Sequence, residues 1–341
     1  MSKRKKIIYG ILLVLLISGI FLAWKVFGPT VNAPEGKYFY IRTGQKYADV
    51  KQSLIDKKII GGDLFFDQVA KKLNYDKAVK AGRYEIKDGM SIFNLVRMLR
   101  AGHQTPVSLV ITKLRTKEDL AQKIAANFEC DSASVIMAIN NEDSLSKYGL
   151  DSNTMMTAVI PNTYSILWNT PAEKIFRKLE QEKDKFWTAE RIMKAQAKNM
   201  TPEQVYTMAS IVEEETNKEE DKGNIASVYI NRIRSGQRLE ADPTIKFALR
   251  NFALKRIRSS HIDAAKGSPY NTYFVTGLPP GPICTPSTKT IDAVLNAPNT
   301  DYMFFVAKPD RSGLSVFAHS YEQHMINARN YQKYLDSINI R

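Results

Sequence analysis

The chain has 341 residues, 44% hydrophobic and 25% charged, an ordinary composition for a folded protein and one that excludes wholesale disorder. That length can bury a sizeable core, and two domains are expected. The net charge of +14 points to an acidic partner, but there is no zinc-type Cys/His spacing and the Lys and Arg residues are spread along the chain, so nucleic acid is not indicated.

At the N-terminus, "KRKK" (Lys3 to Lys6) precedes an uncharged apolar run of 18 residues, Ile7 to Trp24. That is about the length that crosses a bilayer as a helix. Basic residues at its front edge predict a cytoplasmic tail over 1–6, a transmembrane helix over 7–24 that anchors the chain in the cell membrane, and an extracytoplasmic remainder. The run is long for the apolar region of a cleaved signal peptide, and no A-x-A-like site follows it before Lys25. Residues 25–36, with "GPTVNAPEG" at 28–36, read as a Pro/Gly-rich linker.

A small α+β unit is predicted over 37–103. "YFYIRTG" (38–44) reads as a strand with a turn, and 47–60 as a helix with Val50, Leu54 and Ile59 or Ile60 on one side. A second helix over 63–73 opens at Asp63 as its cap. Residues 81–102 read as strand, tight turn and helix, with Ser91 at the N-cap and Gly102 at the end.

A larger α+β domain follows over 104–341, making the expected class α+β with an N-terminal transmembrane helix. Its first elements are a strand at 107–112 and a helix at 116–128 capped by Thr116. "PNTYSI" (161–166) reads as a turn or short loop. The helix over 170–187 starts at Thr170 and Pro171, and its charges read as a solvated face.

"TPEQ" (201–204) is a capping box with Pro at the first helical position, so a helix should run over 202–216. At 100° per residue, Val205, Met208, Ala209 and Val212 share one side. Glu214 points away from it and reads as a surface residue. Glu213 and Glu215 fall on opposite flanks, where a core edge meets a cleft. A partly desolvated carboxyl there has a raised pKa, as a general acid requires. The bland reading of the three acids is a charged helix end.

Residues 223–236 form a second amphipathic pattern through Ile225, Val228, Tyr229, Arg232 and Ile233, closed by Gly236. The loops beyond are rich in Tyr, which can stack on sugar faces, and in Asn, Asp and Thr, which can bond hydroxyls. His103, His261, His319 and His324 lack metal-ligand spacing and read as structural or surface residues. Whether Cys130 and Cys284 pair stays open.

Together, "ASIVEEET" (209–216), "IASVYINRI" (225–233), "DPT" (242–244), "YNTY" (270–273) and "GLPPGPI" (277–283) resemble the YceG-like endolytic murein transglycosylases, the MltG type. The resemblance spans nearly the whole chain. It implies a single-pass inner-membrane enzyme that cuts peptidoglycan glycan strands beside penicillin-binding synthases and helps terminate their elongation. It also implies a LysM-like identity for 37–103, with "GRYEIKDGMSIFNLVRML" its clearest piece, and a YceG-like catalytic domain over 104–341. In the motif IVE-x-ET the family's catalytic acid is the first Glu, here Glu213, with Glu215 in support. Asn231, Arg232, Glu240, Asp242, Thr244, Tyr270, Asn271, Thr272 and Tyr273 fall in the neighbouring motifs as supporting or substrate-binding residues.

The reaction implied uses the sugar's own C6 hydroxyl as nucleophile and leaves 1,6-anhydro-N-acetylmuramyl ends, without metal or cofactor. The chain departs from the family at Asn162, where Asp is usual, at Glu240, where Gln is common, and at "CTPS" after "GLPPGPI". "GLSVFAHSYEQH" (313–324) matches a Gly-x-His-x-Phe pattern only loosely. Two other classes fit the sequence: a muramidase using Glu240 or Asp242 as second carboxylate, and a non-catalytic peptidoglycan-binding scaffold.

Overall fold

The apolar N-terminal run forms helix α1 (Lys3–Phe27), longer at both ends than the charge-free stretch. It is the one helix among the described residues long and apolar enough to cross a membrane, and its side chains from Ile7 to Trp24 are exposed. The computed structural model describes residues 2–338. These divide into two units, one comprising the chain up to Leu109 with Asn127–Cys130 and Ser165–Pro171, the other holding the remainder.

In the first unit, strand β1 (Tyr38–Ile41) leads to helices α2 (Tyr47–Asp56) and α3 (Leu64–Lys72), then strand β2 (Gly82–Glu85) and helix α4 (Ile92–Ala101). β1 and β2 pair antiparallel, Tyr38 opposite Glu85 and Ile41 opposite Gly82. Phe39, Ile41, Leu54, Phe66, Tyr84 and Leu95 meet in its core. α2 ends earlier than the 47–60 pattern predicts, because Lys58 turns left-handed at φ 55°, yet Ile59 and Ile60 still reach the core. Asp63 precedes α3 without capping it through its side chain; its carboxylate lies 3.8 Å from the Lys51 ammonium instead. Ser91 caps α4 by accepting from the Asn94 amide at 3.2 Å, and Gly102 closes it at φ 72°, a conformation that favours glycine. The predicted linker is pinned at Val31, which is buried and bonded to Met90 through N–H···O at 3.0 Å.

The second ladder pairs strand β3 (Val107–Val110) with β4 (Thr163–Ile166). "PNTYSI" therefore ends in a strand rather than remaining a loop; its alternating burial at Thr163–Ile166 is the period-two pattern that the short motif concealed.

The second unit holds α5 (Lys117–Ala125), α6 (Ser132–Ile139), α7 (Glu142–Ser146), α8 (Ala172–Phe186), α9 (Ala189–Ala197), α10 (Pro202–Glu215), α11 (Glu219–Arg234), α12 (Asp242–Ala248), α13 (Ser259–Ala264) and α14 (Thr288–Leu295). It closes with an antiparallel pair, β5 (Phe304–Ala307) and β6 (Ser315–Ala318), and helix α15 (Tyr321–Ser337). The α8 charges are not all solvated: Glu180 and Lys183 are buried and paired at 3.1 Å.

α10 is the axis of this unit. Thr201 accepts from the Gln204 amide at 3.2 Å while the Gln204 side chain accepts from the Thr201 amide at 2.9 Å, the capping box the sequence predicts. The helix is not one-sided, however: every residue from Val205 to Val212 is buried. α9, α11, α12 and α14 pack around it, and Tyr206, Met208, Ile211, Ile225, Tyr229, Ile291 and Val294 form the core between them. The "GLPPGPIC" segment is tied to the same helix, since the Ile283 amide donates to Ser210 Oγ at 3.0 Å and the Cys284 thiol to the Ser210 carbonyl at 3.4 Å. Within it, a Cβ on Gly281 would run into the Asn153 carbonyl, so the close approach requires glycine.

The fully buried Tyr206 hydroxyl donates to the Val159 carbonyl at 2.6 Å. Tyr206→Phe leaves that carbonyl without its donor and should lower the unfolding free energy by about 1–3 kcal/mol, measured by urea denaturation; no change would show that this bond does not hold α10 in place.

Candidate active site

Because α10 is buried along its middle and ends at Glu215, its last three residues leave the core together. Successive helical residues diverge by 100°, so the three carboxylates emerge in three directions and meet three environments. Both flanks do reach clefts.

Glu213 faces a cleft lined also by Lys113, Asn162, Thr163, Thr285 and Ser287. Its Oε2 accepts from the Lys222 ammonium at 3.3 Å, from Ser287 Oγ at 3.1 Å and from Thr290 Oγ1. Lys222, one turn into α11, is only 3% exposed and is further held by Glu219 at 2.7 Å and Thr290 at 2.7 Å. Glu213 is thus the acceptor at the centre of a buried polar cluster.

Glu214 is not the free surface acid that the helical wheel suggests. Its side chain is 15% exposed and pairs with Lys113 at 3.2 Å and Arg115 at 3.1 Å. The segment carrying those two residues lies over this side of the helix end and supplies cations that local periodicity does not reveal.

Glu215 opens on the other side, in a cleft of about 260 Å³ with Tyr229, Arg232, Glu240, Asp242, Tyr273, Phe305 and His324. The Tyr229 hydroxyl donates to Glu215 Oε1 at 2.7 Å. Desolvation lifts the Glu215 pKa from 4.5 to about 7, and the negative charge of Asp242 adds to the rise, against the opposing effects of Tyr229, Lys246 and Arg232. Tyr273 Oη donates to Asp242 Oδ1 at 2.6 Å, placing the "YNTY" and "DPT" motifs side by side. Glu240 sits at φ 51°, is half exposed, and lies 3.7 Å from Arg232.

The remaining predicted residues build this cleft from behind. Asn231 Nδ2 donates to the Thr300 and Tyr302 carbonyls at 2.9 and 3.0 Å. Arg232 lines the cleft and clamps it, with Nε on the Met303 carbonyl and Nη1 on the Leu239 carbonyl, both at 2.8 Å. Thr244 and Thr272 are buried; their hydroxyls meet at 2.9 Å, and Thr272 Oγ1 accepts from the Ala241 amide at 3.0 Å. Asn271 is buried and donates to the Ile262 carbonyl at 2.9 Å. Tyr270 lies away from Glu215, packed 4.7 Å from the Phe247 ring and lining a cleft with Arg115 and Arg250. A larger cavity of about 470 Å³ lies at the opposite end of α10, where Glu203 is the only carboxylate among the described residues. Among the described residues no group of three or more His, Cys, Asp or Glu is arranged to hold a metal.

The model of the YceG-like family matches residues 39–330, most of the chain and all of both clefts. The chain belongs to the YceG-like family. It is 26% identical to the endolytic murein transglycosylase of Bacillus subtilis (strain 168), over 95% of this chain and 92% of that one. It is 28% identical to the endolytic murein transglycosylase of Streptococcus pneumoniae serotype 2 (strain D39 / NCTC 7466), over 86% of this chain but 57% of that longer one. Among solved structures it is similar to a putative YceG-like protein from Listeria monocytogenes, with TM-score 0.57, 26% identity, and coverage of 85% of this chain and 99% of the other.

In this YceG-like chain, sequence reasoning missed Tyr229, Lys222 and His324 as site residues. Tyr229 carried a signal, since it sits in the helical pattern that follows the acids; it read as core because a phenol can be both. His324 read as structural or surface, whereas its ring lines the Glu215 cleft. The packing of α15 against β5 and β6 brings it there.

Loss of Glu213 and loss of Glu214 should differ in their effect on stability. Glu213→Gln weakens the compensation of buried Lys222 and should destabilise the fold by about 1–3 kcal/mol, whereas Glu214→Gln removes partly exposed pairs worth about 0–1 kcal/mol. Glu215 adds a pH dependence to the stability. Folded, it keeps its proton to about pH 7, whereas the unfolded chain loses it near 4.5, so its contribution is whole below 4.5 and is lost as pH rises to 7. Glu215→Gln should flatten that part of the stability–pH curve; an unchanged slope in denaturation midpoints would count against the raised pKa.

Proposed function

We propose that this protein is a membrane-anchored lytic transglycosylase that cuts the MurNAc–GlcNAc β-1,4 bond within peptidoglycan glycan strands, with Glu215 as the acid and base. The observation that carries the reading is the Glu215 carboxyl itself: desolvated, with a pKa near 7, and open to a polar cleft. The names of the Bacillus and Streptococcus relatives support the substrate and the reaction class.

In this reading the roles expected from the family motif are exchanged. Glu213 already accepts from an ammonium and two hydroxyls, and a group so placed is suited to holding α11 and α14 against the helix end. Among the described residues Glu215 has one donor, a neutral phenol, and it can carry a proton near neutral pH. Protonated Glu215 gives its proton to the leaving O4 as the C1–O4 bond breaks. The C6 hydroxyl of the same muramyl residue bonds to C1, and its proton returns to the Glu215 carboxylate. Atoms and charge balance, the product ends in a 1,6-anhydro ring, and attack within one sugar avoids the entropic cost of bringing in a second reactant. Tyr273 and Asp242 would border the sugar, and Arg232 would hold the cleft walls.

Glu240 and Asp242 in the same cleft keep a muramidase reading chemically possible, because water activated by a second carboxylate would leave reducing ends instead. The strand–helix–helix–strand order of β1, α2, α3 and β2, with both strands paired, supports a LysM-like role for 37–103 in holding glycan. Anchoring through α1 with the N-terminus inside follows from Lys3–Lys6 ahead of the apolar run, and is the setting in which contact with penicillin-binding synthases would occur.

Chromatography and mass spectrometry of digested sacculi test the chemistry. The unmodified protein should release anhydro-ended glycan. Glu215→Gln should cut the rate by about 10²–10⁴-fold while circular dichroism stays native, and Glu213→Gln should retain most of its activity at temperatures where it is folded. Activity should decline as pH rises through about 7, where the acid loses its proton. A dead but folded Glu213→Gln beside an active Glu215→Gln would return the proton to Glu213; reducing ends would favour the muramidase. A C-terminal reporter should be active only outside the cytoplasm, and cytoplasmic activity would remove peptidoglycan as substrate.

A further inference from the structure

α15 delivers a residue to the Glu215 cleft that none of the motifs around the three acids contains. The His324 ring lines that cleft together with Tyr229, Arg232 and Tyr273. One face of the imidazole stacks on Phe304, ring centres 5.1 Å apart and planes 21° off parallel. The Arg232 guanidinium sits 5.2 Å from the same Phe304 ring and bonds the adjacent Met303 carbonyl. The imidazole is therefore set in place from two sides, by α15 and by the Phe304–Arg232 stack.

Its nitrogens are not equivalent. Nδ1 is buried and has no hydrogen-bond partner among the described residues. Burial and the Arg232 charge lower the His324 pKa, favouring the uncharged ring with a single proton. On Nδ1 that proton would be a buried donor with no acceptor. On Nε2 it leaves Nδ1 a bare acceptor, the more tolerable orphan. The remaining edge of the ring, with Nε2, is the part that can address the cleft.

We propose that His324 is a sugar-positioning residue of this cleft, donating a hydrogen bond from Nε2 to a hydroxyl or acetamido oxygen of the bound glycan. The proposal rests on the reading of the Glu215 cleft as the glycan site. It gives α15 a functional reason to pack on β5, and it supplies an uncharged ring donor in a cleft whose other lining is the Arg232 guanidinium, carboxylates, aromatic rings and Leu239.

The test uses the full-length protein in detergent with purified glycan strands. His324→Phe keeps a flat ring on Phe304 but has no donor; His324→Gln keeps a donor. His324→Phe should raise KM about five- to tenfold with kcat changed less than about twofold, and His324→Gln should restore most of the lost affinity. In the Glu215→Gln background, which binds without turnover, the same fivefold or greater loss should appear in the dissociation constant for glycan strands. A wild-type KM and dissociation constant in His324→Phe overturn the proposal. Equal damage in both variants with a lowered melting temperature also overturns it, because that marks a packing role. If the unmodified protein binds glycan but releases no anhydro ends, the chemistry assigned to Glu215 fails while the binding comparison still judges His324.

Discussion

The burial of α10 on every side is the constraint from which the rest of the second unit follows. A helix whose middle eight residues, Val205 to Val212, are all enclosed cannot slide or rotate without opening the core. Its end is then a fixed point, and the 100° step between residues sends Glu213, Glu214 and Glu215 to three separate partners. Identical side chains thereby acquire different chemistry. Lys222, Ser287 and Thr290 surround the first, Lys113 and Arg115 the second, and the phenol of Tyr229 the third.

α11 completes the distinction. Lys222 and Tyr229 are two turns apart on that helix, so they lie on one face and each meets an acid of α10. Lys222 brings a buried ammonium to Glu213, whereas Glu215 meets a phenol in a desolvated setting that raises its pKa. Two carboxylates two residues apart thus meet different partners on α11, an ammonium for Glu213 and a phenol for Glu215. One turn past Tyr229, Arg232 ties the "LEADPT" loop to the strand that carries Phe304. Its charge lowers the pKa of Glu215 slightly and that of His324 as well, so a single guanidinium shapes both walls of the cleft.

Much of the polar content of the loops is structural. Thr244, Thr272 and Asn271 are buried and spend their hydrogen bonds on one another or on backbone groups. They hold Asp242 and Tyr273, which do reach the cleft, in register with Glu215. A motif such as "DPT" or "YNTY" therefore mixes residues that face a ligand with residues that hold the loop, and the residue types alone do not separate the two.

The elements read most directly from the sequence were those with local causes. The capping box at Thr201–Gln204, the Ser91 cap, the Gly102 terminus and the apolar run of α1 all depend on neighbours within a turn or two, and the structure has them where the spacing puts them. The helical wheel likewise placed Glu213 and Glu215 on two flanks that each meet a cleft. What the wheel could not carry was the identity of the partners, which come from distant parts of the chain: Lys113 and Arg115 for Glu214, Thr290 for Glu213, and α15 for the His324 side of the cleft. A carboxyl's proton affinity is set by the charges and the desolvation around it, and those are properties of packing between distant segments. The sequence thus determined which helix would present the acids and in which directions, and only the tertiary structure decided which acid sits beside a cation and which is desolvated beside a phenol.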